Sequence, residues 1–234
     1  MSNDKQSYDS LQTNDASGSS IGRIVHQAES VGLQGSYVLE CFGPAEQDRD
    51  RYVSLRDKLL AHKSRNFLTR FLTAGSIRST QASFDSIKLE RKWKEPIKNV
   101  VTTLGKNFFL DAGLAGSAYT AAWYLGLISL TGYVSVPVAA DTMASHASWT
   151  EAVNYSQATR PAPAFAAASA GSKATSAAVV FSINAAGPIK GSFLTTISTK
   201  SGTTGTLLSA GLFTGGDQVV NNGDTLNATY TLNA

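Results

Sequence analysis

One cysteine, three histidines and almost no charge after Trp123 say first what this chain lacks the parts to do. The single Cys41 excludes an internal disulfide and any zinc site built from several cysteines, so stability rests on packing or on partners. His26, His62 and His146 share no metal-ligand spacing. The longest apolar run, Ala121 to Leu130, is too short for a bilayer and is broken by Gly126 and Ser129. The first twenty residues hold hardly an apolar side chain and match neither a signal peptide nor a membrane span. A soluble protein made in the cytoplasm is expected, with no cofactor and no metal.

What is present divides into three parts. With 234 residues and 24.6 kDa, the chain is long enough for one sizeable domain with a large appendage. Residues 1–35 lack the apolar surface that would offset the entropy of ordering, which predicts a flexible N-terminal arm. Residues 36–43 and 87–234 read as a β-sandwich domain, and residues 44–86 as a basic helical insertion within it. The net charge of +3 is small, and most of the basic excess lies between Pro44 and Glu95.

Ser36 to Phe42 reads as a strand closed by Gly43-Pro44. From Glu46 to Ala74 the apolar period becomes helical, with Tyr52, Leu55, Leu59, Leu60, Phe67, Leu68, Phe71 and Leu72 near one face. A break is expected near Ser64 to Asn66, and a stop at Gly75. Ile87 to Trp93 reads as an exposed strand ending before Pro96. Thr102 or Thr103 caps a short helix through Phe108, Phe109, Leu110 and Leu114, ended by Gly116. Strands are then expected at 121–128, 149–155, 163–167, 177–183, 189–196, 206–212 and 225–232. Gly, Ser and Asn turns separate them. The fold class that follows is mainly β: an antiparallel β-sandwich, Ig-like or jelly-roll-like. Trp123, Trp149, Phe165, Phe181, Phe193 and Phe213 are its expected large core residues.

Chemistry finds few footholds. Asp141, Ser145 and His146 invite a triad, but neighbours on one loop do not line up nucleophile, base and orienter; a capped turn with a locally bonded His146 is expected instead. Ser201 to Thr206 is glycine-rich yet lacks the Lys-Ser/Thr and the strand-to-helix context of a phosphate loop, so a hairpin turn is expected. Asp111, Asp141, Glu151, Asp217 and Asp224 are isolated in sequence, and no acid-base pair is marked. No catalytic residue is assigned and no enzyme activity is expected. The candidate partner contacts are the basic positions of the insertion, Arg49, Arg56, Lys63, Arg65 and Arg70. Acidic residues interleave with them and no aromatic stacking pattern accompanies them, which disfavours nucleic acid.

Asn99-Val100-Val101-Thr102-Thr103-Leu104-Gly105-Lys106-Asn107 and Leu114 to Leu127 resemble a family of small structural proteins of tailed bacteriophages. The likeness continues through Asp141 to Glu151, Gly191 to Thr196, Ser209 to Phe213 and the Gly223-Asp224-Thr225-Leu226 turn. It covers about residues 97–234, with Tyr37 to Phe42 as the opening strand. Members run near 150 residues, so Gly43 to about Ser86 departs from their pattern as an insertion. The resemblance implies a virion component. A capsid decoration or cement protein binding neighbouring subunits comes first, a tail-fibre or tail-adaptor part second. The implied partners are other virion proteins, major capsid or tail, with the chain as a homo-oligomer or in many symmetric copies, and no membrane. A carbohydrate-binding module displaying Trp123, Tyr124, Tyr133 or Tyr155 is the alternative of another class.

Overall fold

The computed structural model describes residues 32–64, 73–114 and 122–234. They fold mainly as antiparallel β-structure, sandwich-like, with a helical insertion. In chain order the elements begin with β1 (Gln34–Pro44), a 3-10 turn (Glu46–Asp48), α1 (Arg49–Lys63), α2 (Ala74–Asp85), β2 (Leu89–Val101) and α3 (Thr103–Leu114). Next come β3 (Tyr124–Ser129), β4 (Thr150–Ala152), β5 (Ser172–Ala174), β6 (Val179–Ser182) and β7 (Gly187–Thr195). The last three are β8 (Leu207–Phe213), β9 (Gln218–Val220) and β10 (Thr225–Asn233).

All ten strands belong to one hydrogen-bonded sheet, in the order β4-β3-β7-β8-β2-β1-β10-β5, with β6 also on β10 and β9 also on β7. The two faces of the sandwich are therefore one sheet folded over. Its ends meet where Tyr155, beyond β4, bridges Ile183, beyond β6. Ser156 N–H donates to Ser182 O at 2.8 Å and Asn184 N–H to Asn154 O at 3.1 Å across that seam. Nearly every strand sends alternate residues into the shared interior: Tyr37, Leu39 and Cys41 from β1, Leu125 and Leu127 from β3, and Leu226, Ala228 and Tyr230 from β10. The opposite face of β3, β7 and β8 carries a second cluster, in which Ile128, Phe193, Leu207 and Ala210 pack with Met143 and Trp149 of the 130–149 loop.

Close backbone approach explains the small residues in β7 and β8. A Cβ on Gly191 would lie 2.0 Å from Gly211 O, so only hydrogen fits between these strands. Gly126 leaves room for the Phe193 ring in the same way.

Several expectations are corrected. β2 does not stop before Pro96 but runs through it, pairing Pro96 with Val38 of β1. Pro96 is tolerated because its carbonyl and missing N–H face the β8 side, where the ladder has already ended at Ile97↔Phe213. Thr214 Oγ1 donates to that carbonyl at 3.2 Å. Gly75 is not a stop: α2 begins at Ala74. The sheet takes Gln34 and Gly35 from the expected arm, and β1 and β2 leave 45–88 as the insertion. The 163–167 strand reduces to a single bridge, Phe165↔Thr175, while β5 and β9 were not anticipated. Residues 1–31, the stripe residues Phe67 to Leu72, the far side of the expected break at 64–66, and Gly116 lie outside the described residues.

Candidate partner-contact surface

The insertion is fastened to the sheet through one carboxylate. At the turn into β10, Gly223 adopts φ +90°, and its missing side chain lets Tyr52 and Val53 of α1 press against the backbone. Asp224 follows with its side chain fully buried. Its carboxylate accepts Arg49 Nη1 at 3.0 Å, Lys92 Nζ at 2.8 and 3.0 Å, and the Asn221 N–H at 2.8 Å. Cys41 Sγ donates to it at 3.6 Å. Lys92 reaches the interior because β1 and β2 slip by one residue there: Cys41 pairs with Trp93 and Phe42 with Arg91, leaving Lys92 unpaired in the ladder. Gly43 completes the cradle, since a Cβ on it would lie 2.1 Å from Asp224 Oδ1. Two cations and a backbone donor offset the cost of removing the carboxylate from water. Burial, and then the Asp224 charge, push the Cys41 thiol up to about 12.

This anchorage decides the fate of the basic positions singled out in the sequence. Arg49 serves Asp224 and also reaches Asn222 O at 3.2 Å. Arg56 Nη2 donates to Asn222 Oδ1 at 3.0 Å and Nη1 to Ile183 O at 3.4 Å. Both therefore hold α1 on the sheet. Lys63 is exposed at the end of α1, whereas Arg65 and Arg70 lie outside the described residues. With Arg49 and Arg56 turned inward, the exposed cations among the insertion's described residues, Arg51, Lys58, Lys63, Arg78 and Lys88, share its surface with Glu46, Asp50, Asp57 and Asp85.

The 130–149 loop is built around Asp141. Its carboxylate accepts the Val138 N–H and Trp149 Nε1–H, each at 3.1 Å. His146 Nδ1 lies 2.9 Å from Trp149 O, and its ring stacks on the Trp149 ring at 4.0 Å. The Ser145 N–H donates to Thr142 Oγ1 at 2.9 Å. Asp141 thus holds a loop instead of orienting His146, as the capped-turn reading anticipates.

That loop displays what the sequence reading overlooked. Val134, Val136 and Val138 are 76 %, 59 % and 49 % exposed. They are nevertheless held in place: Val134 N–H and Ser135 N–H donate to Ser148 O at 2.8 and 3.2 Å, and Thr103 N–H donates to Ala139 O at 2.9 Å. Pro137 between them is buried. The signal was available, because valine recurs at every second position in a stretch without charge from Thr131 to Ala140. It reads as one more strand, and strand residues are expected to bury one face.

A second buried ion pair stabilises the neighbouring loops. Arg160 Nε and Nη2 bind Glu151 Oε1 and Oε2 at 2.9 and 2.8 Å, and Arg160 Nη1 donates to Ile197 O at 2.9 Å. Glu151 also accepts the Ser201 N–H at 2.5 Å. The carboxylate is fully occupied in joining β4 to the 197–203 loop, and the Gly-rich stretch serves as a turn. Of the rings proposed to stack on a sugar, Trp123 and Tyr155 are buried. Tyr124 and Tyr133 are half-buried, the latter with Lys190 Nζ 4.4 Å over its ring. Among the described residues no group of three His, Cys, Asp or Glu side chains could hold a metal ion. No described helix is long and apolar enough to cross a membrane. No protein-family model matches the chain, and no curated protein does either.

Proposed function

We propose that this chain is a structural component of a tailed-bacteriophage virion, acting as a capsid decoration protein that binds neighbouring subunits. The observation that carries the reading is the strip Val134, Val136 and Val138, exposed to solvent yet pinned by backbone hydrogen bonds. An ordered apolar strip loses little entropy on contact and gains by leaving water, which suits adhesion. The resemblance through residues 97–234 supplies the context. The polar chemistry is consistent with it, since Asp224, Asp141 and Glu151 are each occupied in holding the fold. Repetition over a symmetric particle makes each small contact effective through avidity.

The test uses capsids of the encoding phage that lack this chain. Purified protein is expected to bind them saturably, and the triple variant Val134→Ser, Val136→Ser, Val138→Ser to lose most of that occupancy with an unchanged melting temperature. Mass spectrometry of separated heads and tails locates the chain in the particle. Recovery with tails transfers the reading to a tail adaptor, and absence from both removes it.

A further inference from the structure

One end of this core opens to solvent as an apolar cavity of about 290 Å³, with Ala122, Ala162 and Lys173 exposed at its lining. Phe109, Trp123, Phe165, Leu194, Leu208 and Leu232 line it. Three of these belong to β7, β8 and β10, whose antiparallel pairings prevent the walls from collapsing inward. An apolar cavity of roughly 150 Å³ stays dry and takes up a benzene-sized molecule. The space here is nearly twice that and falls at the small end of ligand pockets.

One charged side chain lines the cavity, Lys173 of β5. Its Nζ donates to Ala166 O at 3.0 Å and lies 6.0 Å over the Phe165 ring. An ammonium has three donors, so this contact leaves it capacity for another acceptor. Among the described residues no carboxylate forms an ion pair with Lys173. An apolar pocket with one uncompensated cation on its lining is complementary to a molecule with a hydrocarbon body and an anionic head.

We infer that this cavity is a binding site for a small anionic amphiphile, with a chain of roughly eight to ten carbons in the apolar space and its carboxylate on Lys173. The site is separate from the Val134 to Val138 strip and from the anchorage of the insertion.

The test is titration calorimetry on the full chain with decanoate, decanol and decyltrimethylammonium, each as monomer. Decanoate is expected to bind saturably and about tenfold more tightly than the other two, the effect of one charge-assisted contact. Lys173→Met should erase that preference while leaving decanol binding unchanged. Ala162→Trp, a change at the exposed rim, should abolish binding of all three. Thermal melting of both variants confirms that they fold. Equal affinities for the three probes, or a preference that survives Lys173→Met, would overturn the anionic head; no saturable binding by any of them would overturn the site. Each of these outcomes is independent of capsid binding and leaves the adhesion reading where it stood.

Discussion

Asp224 shows how much one buried carboxylate can organise. It gathers Arg49 from α1, Lys92 from the slipped register of β2 and the Cys41 thiol from β1, and so joins the insertion to three parts of the sheet. Asp224→Ala strands two cations beside a vacated site. Breaking a buried pair costs about 3–5 kcal/mol, and the low end applies because both cations are close enough to the surface to swing outward. Urea denaturation should show a lower midpoint with an unchanged slope. Alkaline pH acts on the same cluster. The folded thiol of Cys41 holds its proton up to about 12, against an ordinary value of 9.0, so above pH 9.0 the unfolded chain releases a proton that the folded chain keeps. Stability is then full below that pH and falls as pH rises towards 12. Cys41→Ala should make the alkaline loss of stability shallower, measured as melting temperature against pH.

At the scale of elements, the insertion is a helical segment set on a sheet whose ladders are complete without it. β1 and β2 pair from Ser36↔Lys98 to Pro44↔Leu89, so 45–88 leaves and returns at neighbouring positions, as a hairpin turn would. Replacing residues 45–88 by a short Gly-Asn turn should leave a folded β-domain. Among the described residues, the replacement removes the burial of Tyr52 and Ile87 and the hydrogen bonds that Arg49 and Arg56 make to the sheet. Burial of the two is worth roughly 4 kcal/mol, so a decrease of roughly 8–16 °C in melting temperature is expected, with the β-type circular dichroism retained. Much of this was legible. Helical spacing from Glu46 marked the insertion, although β1 runs on through Gly43-Pro44, where the sequence suggested a close, and Thr102 caps α3, accepting the Gly105 N–H at 3.0 Å. The fate of Arg49 and Arg56 was not legible. A basic residue on a helix reads as solvated until the Asn221–Asp224 turn, far along the chain, is brought against it.

For the whole molecule, closure matters most. The ends of the strand order meet at Tyr155 and Ile183, which uses up edges that would otherwise recruit another chain. The stretch Leu89 to Lys94 extends past the β8 pairing, but Glu90, Arg91 and Lys94 guard it. On the proposed reading, adhesion falls to loops, and foremost to the Val134 to Val138 strip. Because that strip is uncharged, its contact should survive high salt, whereas one made by the basic insertion would weaken. Capsid retention measured at low and high ionic strength separates the two.

By itself the sequence determined the antiparallel β class, the place of the insertion, the cap on α3 and the large core residues except Phe165, which is only half-buried. These follow from period, turn chemistry and apolar patterning, which act over a few neighbouring residues. Only the tertiary structure decided that the two faces are one sheet, that Pro96 sits inside a strand, that Asp224 rather than the surface receives Arg49, and that the valine strip faces water. Each depends on which distant segment arrives alongside, and pairing between strands far apart in the chain is settled by packing and by the accounting of buried hydrogen bonds across the whole molecule.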